Sequence, residues 1–471
     1  MSQGTRRLLA VVTLVFVFGG IAVVDRIVGR SPDAVAGVPA PAVAAARIAP
    51  EGVESAAWYC AGGTSAAAGA TPTLLLVNDG SRPVAGTVTA VDAGGDRDST
   101  GVVVPARASA RVSPASMVSG SDVAASVVLD GGGVGVWQQI AGPAGWSVAP
   151  CASAPATHWY FAHGSTRSGD SLAIALYNPS ATDAVASITL ATSTNGVIAP
   201  AAYQGMSVPA GSLVVADVAD HDQDDPAVAT AVSTLSGSLV AAERQVSGQT
   251  GLSLLSGDAW PGTVTAFPVS TDPTGGGATF HLFNPSGSAV SVSAAVGLQH
   301  GTAAPIQLTV PAQGTAVLRG TSQTRIPADT PYSLVLSSQG PIAAARESDA
   351  PAGTAQPQTG ISAGVAVGGD RWLLPAVPPP GTGAWYLAVV DLAGKPVTVT
   401  VRAPVGDGWR AVPGAAWNVT PGVPVVVGPK APAPVGTEPL EIVASGPVAV
   451  ELDAAPAGAA GVVVLPALAL G

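Results

Sequence analysis

The sequence predicts an all-β protein, a tandem array of four small β-sandwich modules behind an N-terminal transmembrane helix. Three observations lead there. A turn motif after an apolar run recurs at spacings of 100, 106 and 107 residues: Leu76-Val77-Asn78-Asp79-Gly80, Leu176-Tyr177-Asn178-Pro179-Ser180, Leu282-Phe283-Asn284-Pro285-Ser286 and Val389-Val390-Asp391-Leu392-Ala393. A second mark follows each anchor by 26 to 30 residues: Val104-Pro105-Ala106, Val208-Pro209-Ala210, Val310-Pro311-Ala312 and the weaker Val419-Thr420-Pro421. A third closes each unit, at Gly133-Val134-Gly135-Val136, Gly237-Ser238-Leu239-Val240, Gly340-Pro341-Ile342-Ala343 and Gly446-Pro447-Val448-Ala449. Three marks in one order at matching spacing define four repeats, and repeats decide the fold before any finer reading.

In chain order, Arg6 and Arg7 precede residues 8–24, an uncharged apolar stretch that reaches the length of a minimal span only if it continues to residue 28. The basic flank stays cytoplasmic and sends the rest outward. A cleaved signal peptide is the competing reading, since Ala34-Val35-Ala36 has the small-x-small form. That site lies beyond Asp25, Arg26 and Arg30, so an uncleaved anchor over 1–30 is preferred. The expected location is the cell membrane, single-pass, with the N-terminus cytoplasmic. A Pro/Ala-rich spacer follows over 31–54.

The four units then occupy 55–151, 152–260, 261–368 and 369–471. Repeat 2 shows the local pattern most fully, with strands expected at 159–162, 171–177, 184–192, 201–208, 213–218, 227–235 and 239–246. Seven short strands punctuated by Gly, Pro and Asn turns fit an Ig-like or fibronectin-type sandwich. A β-propeller-like closed array stays open as the alternative, each unit then being a double blade because a blade takes about 40–50 residues. Units open on apolar, mostly aromatic strands, Trp58-Tyr59-Cys60, Trp159-Tyr160-Phe161, Ala266-Phe267-Pro268 and Trp372-Leu373-Leu374-Pro375. They are expected to serve packing. A sugar-stacking platform on Trp159, Trp372, Trp385 or Trp409 is the sharper alternative.

Composition narrows the partners. Charged residues make up 10% of the chain, and the formal net charge is −11 without any Lys/Arg cluster, which argues against nucleic acid. The two cysteines, Cys60 and Cys151, open and close repeat 1 on the exported side, so a disulfide is expected.

His158-Trp159-Tyr160-Phe161-Ala162-His163-Gly164-Ser165-Thr166, Leu176-Tyr177-Asn178-Pro179-Ser180 and Val240-Ala241-Ala242-Glu243-Arg244 together resemble a secreted bacterial repeat. The chain is similar over most of 55–465 to an uncharacterised actinobacterial membrane-anchored family, domain of unknown function 5719. It departs from that pattern at His163, where an acidic residue is usual, and in repeat 4, which lacks the Glu-Arg pair. The resemblance implies a cell-envelope location and supplies no activity.

Signatures of chemistry are sparse. His-Glu-x-x-His, Ser-x-x-Lys and the phosphate-loop motif are missing from the sequence. His158 and His163 flank one strand and are expected to be loop histidines. Asp220, Asp222 and Asp224 have a spacing that places three carboxylates near one loop centre, a weak Ca²⁺ candidate beside the simpler reading of a solvated acidic loop. Glu243-Arg244, echoed by Arg346-Glu347, is expected to be an ion pair at a module edge. The resulting expectation is a non-enzymatic envelope scaffold without cofactor, whose partner is the membrane and another envelope protein or cell-wall glycan. A glycan-binding accessory protein and an enzyme of unrecognised type are the alternatives.

Overall fold

The computed structural model describes residues 46–64, 70–247, 251–270, 277–300, 303–327, 330–349, 359–366, 368–376, 382–406, 408–428, 438–456 and 463–471. The expected anchor and residues 31–45 of the expected spacer lie outside them. No helix among the described residues is long and apolar enough to cross a membrane. The described chain is β structure with short 3-10 turns, arranged in several small sheets, and none of these sheets closes into a barrel.

Each repeat pairs an opening sheet, which holds its first strand, with a closing sheet, which holds its anchor. In repeat 1 the opening sheet runs Ala56–Thr64, Asp122–Leu129, Val84–Asp92, Arg97–Val104. Its closing sheet runs Ser109–Val112, Thr71–Asn78, Val134–Gly142, Gly145–Pro150. Repeat 2 repeats this order with His158–Gly164, Val228–Ser236 and Ala184–Thr192 edged by Gly196–Ile198 and Met206–Val208. Against it lie Leu213–Asp217, Asp170–Tyr177, Val240–Ser247 and Gly251–Ser256. Repeat 3 follows with Val264–Phe267, Tyr332–Ser338, Val290–Leu298, Ile306–Val310 and then Thr315–Arg319, Gly277–Phe283, Ala343–Asp349, Thr359–Ala363. In repeat 4 a single strand, Leu440–Pro456, serves both sheets: its first part pairs Gly369–Leu374 and Val397–Val405, its second Thr382–Asp391 and Val463–Pro466. Within repeats all pairings are antiparallel.

Alternation explains the burial. Along Ala184–Thr192 the residues Ala184, Ala186, Ile188 and Leu190 are buried while Val185, Ser187 and Thr189 are half-buried, as a period of two requires when one face meets the core. An aromatic ties the two sheets together in repeats 1 and 2. Trp58 Nε1 donates to Val134 O at 3.0 Å and Trp159 Nε1 to Leu239 O at 2.8 Å, both from fully buried positions. Cys60 and Cys151 are joined in a buried disulfide, Cα atoms 4.7 Å apart, between the opening strand and the end of the last strand.

The anchors explain the first two sequence marks together. Asn78 is fully buried; its Nδ2 donates to Arg82 O and Val104 O at 2.7 and 3.1 Å, and its Oδ1 accepts from Gly80 N at 2.8 Å. Asn178 does the same with Thr182 O, Val208 O and Ser180 N, and Asn284 with Ser288 O, Val310 O and Ser286 N. The recurring Val before Pro therefore supplies the carbonyl that the anchor amide binds. Asp391 keeps only the acceptor half: Oδ1 takes Ala393 N at 2.6 Å, and its buried Oδ2 meets no hydrogen-bond partner among the described residues. A carboxylate cannot donate. Asp391→Asn is therefore expected to stabilise the chain by about 1 kcal/mol, the worth of a net hydrogen bond. A chemical denaturation midpoint that fails to rise would count against the equivalence of the four turns.

The repeats are not independent beads. The four last strands, Gly145–Pro150, Gly251–Ser256, Thr359–Ala363 and Val463–Pro466, touch in cyclic order, the fourth meeting the first. Leu254 N donates to Ser147 Oγ at 3.0 Å, and at the equivalent place one repeat on Ile361 N donates to Ser253 Oγ at 2.8 Å. Repeat 4 reaches repeat 1 through Trp137 Nε1 to Pro466 O at 2.9 Å, Trp409 Nε1 to Asp79 O at 3.1 Å, and Arg371 to Asp79 at 3.1 Å. Arg47–Ile48 lies parallel to Leu468–Leu470, and Gly471 N donates to Ile48 O at 3.1 Å.

Three expectations are corrected by this. The described end of the spacer, 46–54, carries a strand rather than a free tether. The start of repeat 2 at 152–156, ahead of its first expected strand, is pinned, Ala152 bridging Tyr59 and Ala156 bridging Leu239. Repeat 2 also carries two strands that were not expected, Gly196–Ile198 and Gly251–Ser256, and the second makes the contact to its neighbours.

Candidate functional site: the His163, His281 and Glu347 cluster

Neighbouring residues of a strand face opposite sides of the sheet, and this fixes what the penultimate strand of each closing sheet does. Its register is the same in all four repeats: Gly135, Val240, Ala343 and Ala449 stand opposite the residue just before the anchor. Four residues further on lie Gln139, Arg244, Glu347 and Asp453. The last three reach the preceding repeat. Arg244 Nη1 bonds Asp122 Oδ1 at 2.8 Å, Glu347 Oε2 meets His163, and Asp453 takes Arg346 Nη2 at 3.0 Å. One residue earlier, Gln138, Glu243 and Arg346 turn to the opposite face. Glu243-Arg244 and Arg346-Glu347 are thus not ion pairs within themselves, because the pleat separates their side chains.

At the junction of repeats 2 and 3 three metal-ligand residue types converge, the only such trio among the described residues. His163 comes from the end of His158–Gly164. His281 and Glu347 come from adjacent strands of repeat 3, where Thr279 pairs Glu347 and His281 is its diagonal neighbour on the same face. His281 Nε2 lies 3.1 Å and His163 Nε2 3.5 Å from the same oxygen, Glu347 Oε2. The two imidazoles stack with centroids 3.5 Å apart and planes 9° from parallel. His163 is 1% exposed; its Nδ1 has no hydrogen-bond partner among the described residues, and its Nε2 has only the 3.5 Å approach to Glu347 Oε2. Beside the trio is a cavity of ≈ 240 Å³, lined also by Ser165, Arg167 and Asp170.

Burial, followed by the charge of His163, lowers the His281 pKa to about 4. Burial alone would raise the Glu347 pKa, but bonding and attraction from both histidines hold it well below the usual carboxylate range. Near neutral pH the trio is therefore an ionised carboxylate against a neutral His281. The expectation of loop histidines is corrected for both: His158 is exposed but begins the strand, and His163 is buried at its far end.

The other expected site residues do not assemble. Asp220 and Asp224 face solvent, whereas Asp222 is buried and accepts from Asn195 Nδ2 at 3.1 Å. The loop is organised by Asp225 instead, whose two oxygens accept from Ser193 Oγ and Thr194 Oγ1 at 2.6 Å each. The sugar-platform tryptophans are also packed away: Trp159, Trp372 and Trp385 are buried, and half-buried Trp409 donates to Asp79 O.

Glu243 is fully buried with neither carboxylate oxygen partnered among the described residues, and burial raises its pKa well above the usual value. A carboxyl whose folded pKa is raised binds more protons folded than unfolded, so its contribution to stability falls as pH rises above the ordinary glutamate range. Glu243→Gln is expected to raise the melting temperature at neutral pH and to change little near pH 4. A variant destabilised at both would show that Glu243 has an ionised partner.

The model of a family of unknown function, DUF5719, matches residues 141–430. Among solved structures, Thermotoga maritima 1070 is 16% identical over 22% of this chain and 93% of its own, with a TM-score of 0.19. The Anabaena sensory rhodopsin transducer is 26% identical over 18% of this chain and 93% of its own, at 0.16. The tetra-tandem repeat of a large adhesion protein is 16% identical over 88% and 100%, at 0.11. Likenesses at these scores carry no argument about fold or function. No curated protein matches the chain.

Proposed function

The chain belongs to the DUF5719 family of unknown function, and from that premise we propose that it is a non-enzymatic scaffold of the cell envelope, anchored in the membrane by its N-terminal segment and displayed outside. Its repeats are read as Ig-like sandwiches that share interfaces. The observation that carries the proposal is the buried Cys60–Cys151 disulfide, since such bonds persist in oxidising compartments. Arg6 and Arg7 before the apolar residues 8–24 agree with export. A scaffold role is supported by the way charged and polar side chains join the repeats, which favours a fixed surface over hinged domains.

The test is expression of the full chain with a C-terminal epitope in a bacterial host. The expected result is membrane association, loss of the epitope when protease is added to intact spheroplasts, and thiols blocked to alkylation until reduced. A protease-protected chain with two alkylatable cysteines would overturn the proposal.

A further inference from the structure

We propose that His163, His281 and Glu347 bind one divalent transition-metal ion of the zinc class, clamped between repeats 2 and 3. This goes beyond the scaffold reading and does not depend on where the chain resides.

The first support is geometric. Zinc holds imidazole nitrogen and carboxylate oxygen at about 2.0–2.2 Å, so two ligands of a tetrahedral ion stand about 3.3 Å apart. The two nitrogen–oxygen separations here are 3.1 and 3.5 Å, and all three ligand atoms lie within 4.8 Å of one another. The stacked rings must rotate well out of parallel for both lone pairs to meet at one ion above Glu347 Oε2.

The second support is comparison with the pseudo-equivalent junctions. Between repeats 1 and 2 a guanidinium faces a carboxylate, Arg244 on Asp122. Between repeats 3 and 4 Arg346 faces Glu451 and Asp453. Between repeats 2 and 3 the position equivalent to Arg244 and Asp453 presents a carboxylate, Glu347, but to two imidazoles in place of an arginine. One of these, His163, is buried, with no partner for Nδ1 among the described residues and only a long approach to Glu347 for Nε2. Buried polar groups are rarely left so, and a divalent cation bound at Nε2 supplies a full partner. Two imidazoles and one carboxylate suit zinc and its neighbours better than calcium or magnesium, which prefer all-oxygen shells. Three protein ligands leave a fourth position for water, and the adjoining cavity, with Ser165 and Asp170 in its wall, admits one.

The test uses the full-length, untagged chain in detergent, stripped with EDTA and titrated with Co²⁺ and then Zn²⁺. One equivalent of Co²⁺ is expected to bind with the visible absorption of a four-coordinate ion, and Zn²⁺ to displace it. His163→Ala and Glu347→Gln should each weaken Zn²⁺ binding by about 100-fold, while His221→Ala leaves it unchanged. Near-ultraviolet circular dichroism confirms that each variant is folded. If a variant is not, the wild-type titration still decides, since absence of saturable binding at submillimolar metal overturns the site. One-to-one binding that folded His163→Ala and Glu347→Gln retain in full would place the ion elsewhere and also overturn it.

Discussion

Replacing both Cys60 and Cys151 by alanine is expected to lower stability by about 4–5 kcal/mol, because the bond closes a loop whose ends are separated by 91 residues. Without it, the unfolded first repeat regains the conformational freedom of that loop. Both cysteines are buried against the repeat's core, so the folded state also loses packing at the sulfur positions. The effect should spread beyond repeat 1, since its last strand touches those of repeats 2 and 4. Urea denaturation of the oxidised wild type, the reduced wild type and the double variant is the measurement. The latter two should coincide well below the first, whereas an unchanged midpoint on reduction would mean the bond constrains nothing that unfolding releases.

Arg346→Met should cost about 3–5 kcal/mol, the cost of leaving buried charge without its partner. The Arg346 guanidinium is fully buried and bonds Glu451 Oε1 at 3.0 Å and Asp453 Oδ1 and Oδ2 at 3.1 and 3.0 Å. Val269 N also donates to Glu451 Oε1 at 2.7 Å. Removing the cation leaves two carboxylates in an apolar junction, where burial raises their pKa values in the folded state. The sign follows: the penalty grows as pH rises above the ordinary carboxylate range and shrinks as pH falls through it. Adding Glu451→Gln and Asp453→Asn to Arg346→Met should restore most of the loss near neutral pH. Melting curves that show no such rescue would indicate that the arginine acts through packing rather than charge.

Much of the fold was legible because it is local. Asn78, Asn178 and Asn284 each bond a carbonyl four residues on, and each also bonds the carbonyl of the Val-Pro mark within its own repeat, so spacing alone revealed the repeats. The Cys60–Cys151 bond was legible from position at the two ends of one unit. The junctions were not. Arg346 and Glu347 look like a pair in sequence, yet strand alternation sends them to opposite faces, Arg346 toward Glu451 and Glu347 toward His163 and His281. His163 and His281 belong to different repeats and meet only because the repeats pack side by side. The departure from the family pattern at His163 was the one local signal of that site. Gly251–Ser256 was missed because Leu252-Ser253-Leu254-Leu255 is too short to show a period and is specified by its neighbours.

Closure of the four repeats on themselves is tested most directly by hydrogen–deuterium exchange of the full chain, followed in peptides covering 46–50 and 468–471. The hydrogen bonds of Gly471 N to Ile48 O and of Gly133 N to Ala49 O, with the parallel pairing of 47–48 and 469–470, predict slow exchange in the 468–471 peptide and at Gly133. Their protection should match that of Thr71–Asn78 inside repeat 1. Exchange of the 468–471 peptide at the rate of an unstructured peptide, while Thr71–Asn78 stays protected, would contradict closure and leave four repeats in an open row.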